Sequence, residues 1–134
     1  MAVVALNVKT RQPYALGEEF GPVGAYEQLG GTVHFAVTPD HPGNGLITDL
    51  KLAPTDGTGR VTFAADFRIL KPVSPGRGSR RLLLDVLNRG KPLALGMFNN
   101  SPASDPLTEP WQPGNGFLMR RGYTVLWCGW QGDV

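Results

Sequence analysis

The chain has 134 residues, 41% of them hydrophobic and 18% charged, and its formal net charge is +2. A chain of this length fits one domain with a real core. Its 18 glycines and 12 prolines exclude an all-helical bundle, because both residue types interrupt long helices. No apolar run approaches the roughly 18–20 residues of a membrane span, and residues 1–9 lack the basic stretch of a signal peptide. The composition therefore predicts a soluble, cytoplasmic, turn-rich protein.

The chain holds little material for a metal or nucleic-acid site. Its single cysteine, Cys128, rules out a disulfide framework and a multi-cysteine metal site. Neither His34 nor His41 has a cysteine or histidine at metal-ligand spacing. One basic cluster is formed by Lys71, Arg77, Arg80 and Arg81. Because this cluster has no neighbouring aromatic residues on which bases stack, a solvated loop is the favoured interpretation. We therefore expect no nucleic-acid partner, and the composition leads us to expect no metal, cofactor or membrane partner.

The first part of the chain has the alternating pattern of β-strands. Residues 32–37 and 61–69 alternate between apolar and polar side chains, which is typical of strands with one buried face. A shorter alternating run, followed by the turn signal Asp56-Gly57, predicts a β-hairpin over residues 46–70. We expect residues 1–80 to form an antiparallel, hairpin-rich β lead-in.

The pattern changes near residue 80. Residues 82–87 and 123–128 are nearly continuous apolar runs, typical of strands that are buried on both faces of a parallel sheet. A polar, proline-rich stretch follows over residues 91–113, and residues 116–122 predict a short helix that ends in arginines and a glycine. Strand, crossover, helix and strand make a βαβ unit. The sequence therefore predicts an α/β fold in which the lead-in runs into the first strands of a parallel sheet.

We interpret the chain as a single partial domain, with the β-rich lead-in over residues 1–80 and the start of an α/β core over residues 81–134. The reason is that few residues follow the second apolar run, whereas a parallel strand needs neighbours on both edges and helices on both faces. Uncovered apolar faces predict poor solubility or self-association. The alternative is a compact β-rich domain whose last strand pairs within a small sheet.

Two polar segments follow the predicted parallel strands, where function gathers in open α/β sheets. Asn88-Arg89-Gly90 comes directly after the first strand, and its backbone N–H groups are suited to stabilise a developing oxyanion. An equally supported alternative is that Gly90 permits a tight turn and Arg89 forms a structural ion pair. Trp130 and Asp133 occupy the matching place after the second strand, where Trp130 either lines the same crevice or packs.

No catalytic residue is predicted. The chain has four serines, Ser74, Ser79, Ser101 and Ser104. All four lie in loops rich in proline or glycine, and none stands in Gly-x-Ser-x-Gly. Cys128 lies in an apolar run, where burial disfavours the reactive thiolate. The chain alone therefore offers neither an evident nucleophile nor a base beside it.

The chain resembles the amino-terminal part of the bacterial α/β-hydrolase domain-containing proteins from about Tyr26 onward. The resemblance is carried by residues 39–44, 47–54, 63–72, 81–90 and 114–133, with Asn-Arg-Gly and Gly-Trp-Gln-Gly-Asp as its more specific pieces. It implies an α/β-hydrolase fold in which residues 82–87 form the strand before the oxyanion loop. Asn88, Arg89 and Gly90 would then stand where other hydrolases carry His-Gly.

Members of that family are longer, and their serine, acidic residue and histidine come downstream. The resemblance thus implies that this chain supplies part of the oxyanion hole and pocket wall of an enzyme that hydrolyses ester bonds through an acyl-serine. Its expected partners are a small ester-type substrate, in the complete protein, and either the missing remainder of the fold or a second copy. Alone, the chain is predicted to be inactive. Two alternatives are a non-catalytic β-rich binding module and a protein that lends strands to another chain.

Overall fold

The computed structural model describes residues 2–102 and 112–130, which form a five-stranded sheet with short helices. In chain order the elements are β1 (Val3–Pro13), β2 (Tyr26–Val37), β3 (Val61–Pro72), β4 (Leu82–Asp85), α1 (Ala94–Asn99), α2 (Phe117–Arg120) and β5 (Thr124–Cys128). The strands lie in the order β1-β2-β3-β5-β4. No helix of the described residues is long and apolar enough to cross a membrane.

The first three strands form an antiparallel meander. β2 pairs with β3 without interruption from Tyr26↔Pro72 to Val37↔Val61. The pairing of β1 with β2 shifts register between Val8 and Thr10, where the chain passes Gly31. A side chain at Gly31 would overlap the carbonyl oxygen of Asn7, so the close approach of these two backbones requires glycine. β1 itself was not predicted from the sequence.

The predicted hairpin over residues 46–70 is wrong. β3 pairs instead with β2, and the segment before it is a loop with a 3₁₀ turn at Leu50–Leu52. Asp49 takes a left-handed φ of 58°, which breaks an extended strand. Leu46 is 98% exposed, so the apolar residues of this run do not meet the core. The turn at Asp56-Gly57 does form, since the Thr58 amide donates to Oδ1 of Asp56 at 2.9 Å.

The second half contains the predicted parallel unit. β4 pairs with β5 in parallel from Leu82↔Thr124 to Asp85↔Trp127. β5 also pairs with β3, in the antiparallel sense, so the sheet is mixed. The expected change from an antiparallel lead-in to a parallel pair is confirmed. The fold is α/β-like with strands dominant.

The crossover between the parallel strands holds two helices. The predicted helix is α2, and the glycine after it, Gly122, takes the left-handed φ of 72° that ends a helix. α1 lies in the proline-rich stretch, where no helix was predicted. Its Ala94 and Leu95 are buried, so tertiary contact rather than local propensity stabilises this six-residue helix.

Leu29, Val33 and Phe67 are buried on one face of the sheet, and the larger core cluster lies on the other face. It is a cluster of buried side chains that includes Tyr14, Phe20, Tyr26, Leu70, Leu118, Met119, Val125 and Trp127. Tyr26 joins β2 to the turn before β5, because its hydroxyl donates to the carbonyl oxygen of Tyr123 at 2.9 Å. The β2–β3 part of the sheet is thereby fixed against the parallel unit.

Among the described residues the two apolar strands are not buried on both faces, in agreement with the expectation of uncovered apolar faces. β4 is an edge strand, and the side chains of Leu82 and Leu84 are 60% and 54% exposed. In β5, Val125 and Trp127 are buried, whereas Leu126 on the other face is only partly buried. The helices and the segment before β2 cover the face that holds Val125 and Trp127, whereas Leu82 and Leu84 on the opposite face of the parallel pair stay exposed.

Candidate functional site

The carboxyl ends of β4 and β5 bring the predicted site residues to one edge of the sheet. The indole Nε1 of Trp130 donates to the carbonyl oxygen of Leu87 at 2.8 Å. Trp130 therefore lies beside the start of the Asn88–Gly90 segment, as the parallel arrangement predicts. Trp130 is 63% exposed, so it lines this edge of the sheet and does not pack in the core. Asp133 lies outside the described residues.

Asn88, Arg89 and Gly90 form a tight two-residue turn. The Asn88 amide donates to the carbonyl oxygen of Lys91 at 3.1 Å, and the Lys91 amide donates back to Asn88 at 3.0 Å. Arg89 and Gly90 have φ angles of 49° and 76°, which identifies a type I′ turn. A non-glycine residue in this region costs about 1–2 kcal/mol, so the turn at Arg89 is strained.

This turn leaves two backbone donors unused. The amides of Asn88 and Lys91 close the turn, whereas those of Arg89 and Gly90 donate to no group among the described residues. All three residues from Asn88 to Gly90 are exposed. The tight-turn interpretation of Gly90 is thus confirmed. The ion pair suggested for Arg89 does not form within the part of the chain that the structure describes.

Asp85 connects the parts of this edge, and it was not among the site residues predicted from the sequence. Its Oδ2 accepts hydrogen bonds from Nε1 of Trp127 at 2.6 Å and from the amides of Leu93 and Ala94 at 2.8 Å each. The last two amides belong to the start of α1, where Leu93 provides no side-chain cap. Asp85 therefore stabilises the helix start in its place, as anions do at helix N-termini.

Asp85 brackets the turn. It ends β4 on one side of Asn88–Lys91, and through Leu93 it fixes the chain on the other side. A signal that could have identified Asp85 was present in the sequence, because Asp85 is the one charged residue in the apolar run 82–87. A carboxylate in such a strand needs hydrogen-bond donors to offset its desolvation.

The described residues do not assemble a nucleophile with its base. The hydroxyls of Ser79 and Ser101 donate to the carbonyl oxygens of Gly122 and Gln112 at 2.9 and 2.7 Å. His34 contacts the Asn7 side chain at 3.2 Å, and among the described residues it forms no hydrogen bond with Ser79 or Ser101. Ser104 lies outside the described residues.

Cys128 and the acidic side chains offer no alternative reactive centre. Burial raises the pKa of the Cys128 thiol, which disfavours the nucleophilic thiolate. Over residues 2–102 and 112–130, no three His, Cys, Asp or Glu side chains are grouped to hold a metal ion. The chemistry that this edge can provide is therefore hydrogen-bond donation from its turn, next to an exposed indole.

The chain matches no model of a protein family, no curated protein and no solved structure with which it was compared.

Proposed function

We propose that the carboxyl edge of β4 and β5 is the oxyanion side of an ester-hydrolysing site of the α/β-hydrolase type. The observation that carries the proposal is the strained Asn88–Lys91 turn, in which Arg89 and Gly90 are exposed and their amides donate to no other described residue. It stands at the carboxyl end of a parallel strand, beside Trp130. In open α/β sheets this is where ligands bind.

The edge fits the demands of acyl transfer. When a serine hydroxyl attacks an ester carbonyl, the oxygen of that carbonyl becomes negatively charged, and fixed N–H donors stabilise it without reorganising. The three hydrogen bonds to Asp85 hold both sides of the turn, so its donors are fixed before substrate arrives. The exposed face of Trp130 would contact the acyl or alcohol group.

The remaining groups of the reaction come from outside the described residues. A serine oxygen would form the ester bond to the acyl group, and a histidine would carry its proton to the leaving alcohol. Water would then release the acid and restore the serine. Because Ser79 and Ser101 donate to backbone carbonyls instead of a histidine, we expect the 134-residue chain alone to turn over no ester.

The test compares the 134-residue chain with the product of the gene's whole reading frame. Both are assayed with p-nitrophenyl butyrate and labelled with a fluorophosphonate probe, which marks active serines. We expect turnover and labelling in the whole product and neither in the 134-residue chain. A whole product that is folded but neither labelled nor active would contradict the proposal.

A second candidate, a strand-binding module, is favoured by the edge strand β1. All eleven of its residues are exposed, and it pairs only with β2 among the described strands. Such an edge accepts a strand from another chain. This candidate is supported if the whole product is unlabelled but self-associates, and if Leu6→Lys on β1 abolishes the concentration dependence of its sedimentation coefficient.

A further inference from the structure

A cleft opens at the amino ends of β4 and β5, away from the proposed hydrolytic edge. It has a volume of about 450 Å³ and is lined by Ser79, Arg81, Phe117, Arg121 and Tyr123. Arg81 directly precedes β4, and Tyr123 directly precedes β5, whereas Asn88 and Trp130 follow these strands. What this cleft binds therefore does not depend on the proposed function.

The two sides of the cleft are locked together by hydrogen bonds. The carbonyl oxygen of Gly122 accepts from both the amide and the hydroxyl of Ser79, each at 2.9 Å. The amide of Thr124 donates to the carbonyl oxygen of Arg81 at 2.9 Å. A Cβ at Gly122 would lie 2.6 Å from the Ser79 amide nitrogen, so only glycine lets these segments approach this closely. Arg81 and Arg121 are thus carried on backbone of defined geometry.

The cleft is positively charged, and its arginines form no ion pair within residues 2–102 and 112–130. The ion-paired cations of the described chain are Arg11, Lys51, Arg60 and Lys71. Neither Arg81 nor Arg121 is among them, and no carboxylate lines the cleft. The guanidinium carbon of Arg121 lies 5.7 Å from the centre of the Phe117 ring. Arg81 and Arg121 both line the cleft, and an anion bound there would be attracted by both positive charges.

We propose that this cleft binds a phosphate monoester that carries an aromatic ring, with Arg81 and Arg121 on the phosphate and Phe117 and Tyr123 beside the ring. Guanidinium groups match phosphate oxygens in bidentate geometry. The volume lies in the roughly 300–1,000 Å³ range of small-molecule sites and exceeds what a phosphate alone fills. The ring of Phe117 is 44% exposed and supplies apolar surface for the rest of the ligand.

The proposed site includes part of the basic cluster that the sequence predicts to be a solvated loop. The basic cluster around Arg81 has no aromatic neighbours along the chain. The parallel pairing of β4 with β5 supplies them, because it places Tyr123 and the end of α2 next to Arg81. The fold therefore places two aromatic side chains in the same cleft as Arg81.

The experiment is a titration of the ¹⁵N-labelled chain with phenyl phosphate and with inorganic phosphate at constant ionic strength. We expect saturable shifts of the Ser79, Arg81, Gly122 and Tyr123 amides, and about threefold tighter binding of phenyl phosphate because its ring adds apolar contact. Arg81→Gln and Arg121→Gln should each weaken binding about tenfold. Arg121→Lys keeps the charge but loses the planar fork, so it should weaken binding about threefold in a chain with an unchanged spectrum.

The matched control is Arg80→Gln, which removes the same charge next to Arg81 but does not line the cleft. We expect its affinity for phenyl phosphate to stay within about twofold of the parent chain, because an exposed charge outside the cleft lining is screened by solvent and salt. The proposal is overturned if Arg80→Gln weakens binding as much as Arg81→Gln, if phenol binds as tightly as phenyl phosphate, or if the shifts do not saturate.

Discussion

The indole Nε1 of Trp127 donates a 2.6 Å hydrogen bond to Oδ2 of Asp85, its register partner across the parallel pair β4–β5. The same oxygen accepts the amides of Leu93 and Ala94 at the start of α1. One carboxylate oxygen thus joins two strands and a helix around the Asn88–Lys91 turn. The proposed function depends on this junction, because unsupported turn amides would have to reorganise during the reaction.

Asp85→Ala should lower the free energy of unfolding by about 2–3 kcal/mol, because it leaves the Trp127 indole and two amides without their charged acceptor. Asp85→Asn keeps one acceptor oxygen and should cost about half as much. Asp66→Asn is the control, since Asp66 is exposed and its carboxylate accepts from the Thr32 hydroxyl at 3.2 Å rather than from buried donors. Urea denaturation measures all three, and an Asp85→Ala chain as stable as Asp66→Asn would contradict this role.

Two buried tyrosines should respond oppositely to removal of the hydroxyl. Tyr26 donates to the carbonyl oxygens of Tyr123 and Met119 at 2.9 and 3.2 Å, so Tyr26→Phe should cost about 1 kcal/mol. The buried hydroxyl of Tyr14 has no partner among the described residues, so Tyr14→Phe should be neutral or stabilising. Burial raises the pKa of both phenols. Equal losses in the two variants, measured by urea denaturation, would refute this difference.

Two effects of a substitution at Gly122 can be measured separately: the close approach to Ser79 and the strain of a positive φ. Gly122 and Gly59 have nearly the same φ, 72° and 77°, but a Cβ at Gly59 meets nothing within 4 Å. Both substitutions by alanine pay the left-handed strain of about 1–2 kcal/mol, and Gly122→Ala must in addition displace Ser79. We expect Gly122→Ala to be at least about 1 kcal/mol less stable than Gly59→Ala. Equal melting temperatures of the two variants would show that the approach at Gly122 is not tight.

The turn at Asp56 should persist in acid. The Thr58 hydroxyl foremost, and then the amides of Arg60 and Thr58, donate to this carboxylate and lower its pKa to about 2. The pKa is depressed in the folded chain, so the contribution of the turn is present above the ordinary carboxyl pKa and is lost as the pH falls through about 2. The Thr58 amide shift in ¹H–¹⁵N spectra should titrate with that midpoint. In Thr58→Ala the midpoint should rise towards the ordinary carboxyl value, and an unchanged midpoint would contradict the assigned cause.

The positions of most strands could be predicted from the sequence, but which strands pair with each other could not. Alternation located β3 and part of β2, continuous apolar runs located β4 and β5, and the arginines and glycine at its end located the helix before Gly122. These patterns could not choose between the run 46–52 and β2 as the partner of β3, since pairing depends on long-range packing. β1 was missed because all eleven of its residues stay exposed and its pattern marks no buried face.

The proximity of Asn88–Gly90 to Trp130 was predicted from the sequence, but the role of Asp85 in holding the turn was not. The rule that carboxyl ends of parallel strands meet at one edge correctly placed Asn88–Gly90 near Trp130. The left-handed φ of Arg89 was not predicted, because arginine carries no preference for that region. Asp85 was overlooked since its three donors come from β5 and from the start of α1, which no local pattern brings together.

The most direct test of the oxyanion role is the kcat for ester hydrolysis of the whole reading-frame product carrying Gly90→Ala, compared with Gly59→Ala. The two glycines share φ angles of 76° and 77°, so the substitutions introduce the same backbone strain. Only Gly90 lies in the turn proposed to donate to the oxyanion. We predict that Gly90→Ala lowers kcat about 100-fold, the loss typical of one displaced donor, while Gly59→Ala leaves kcat within about twofold. Equal kcat values in the two variants would contradict the assignment of this edge as the oxyanion side.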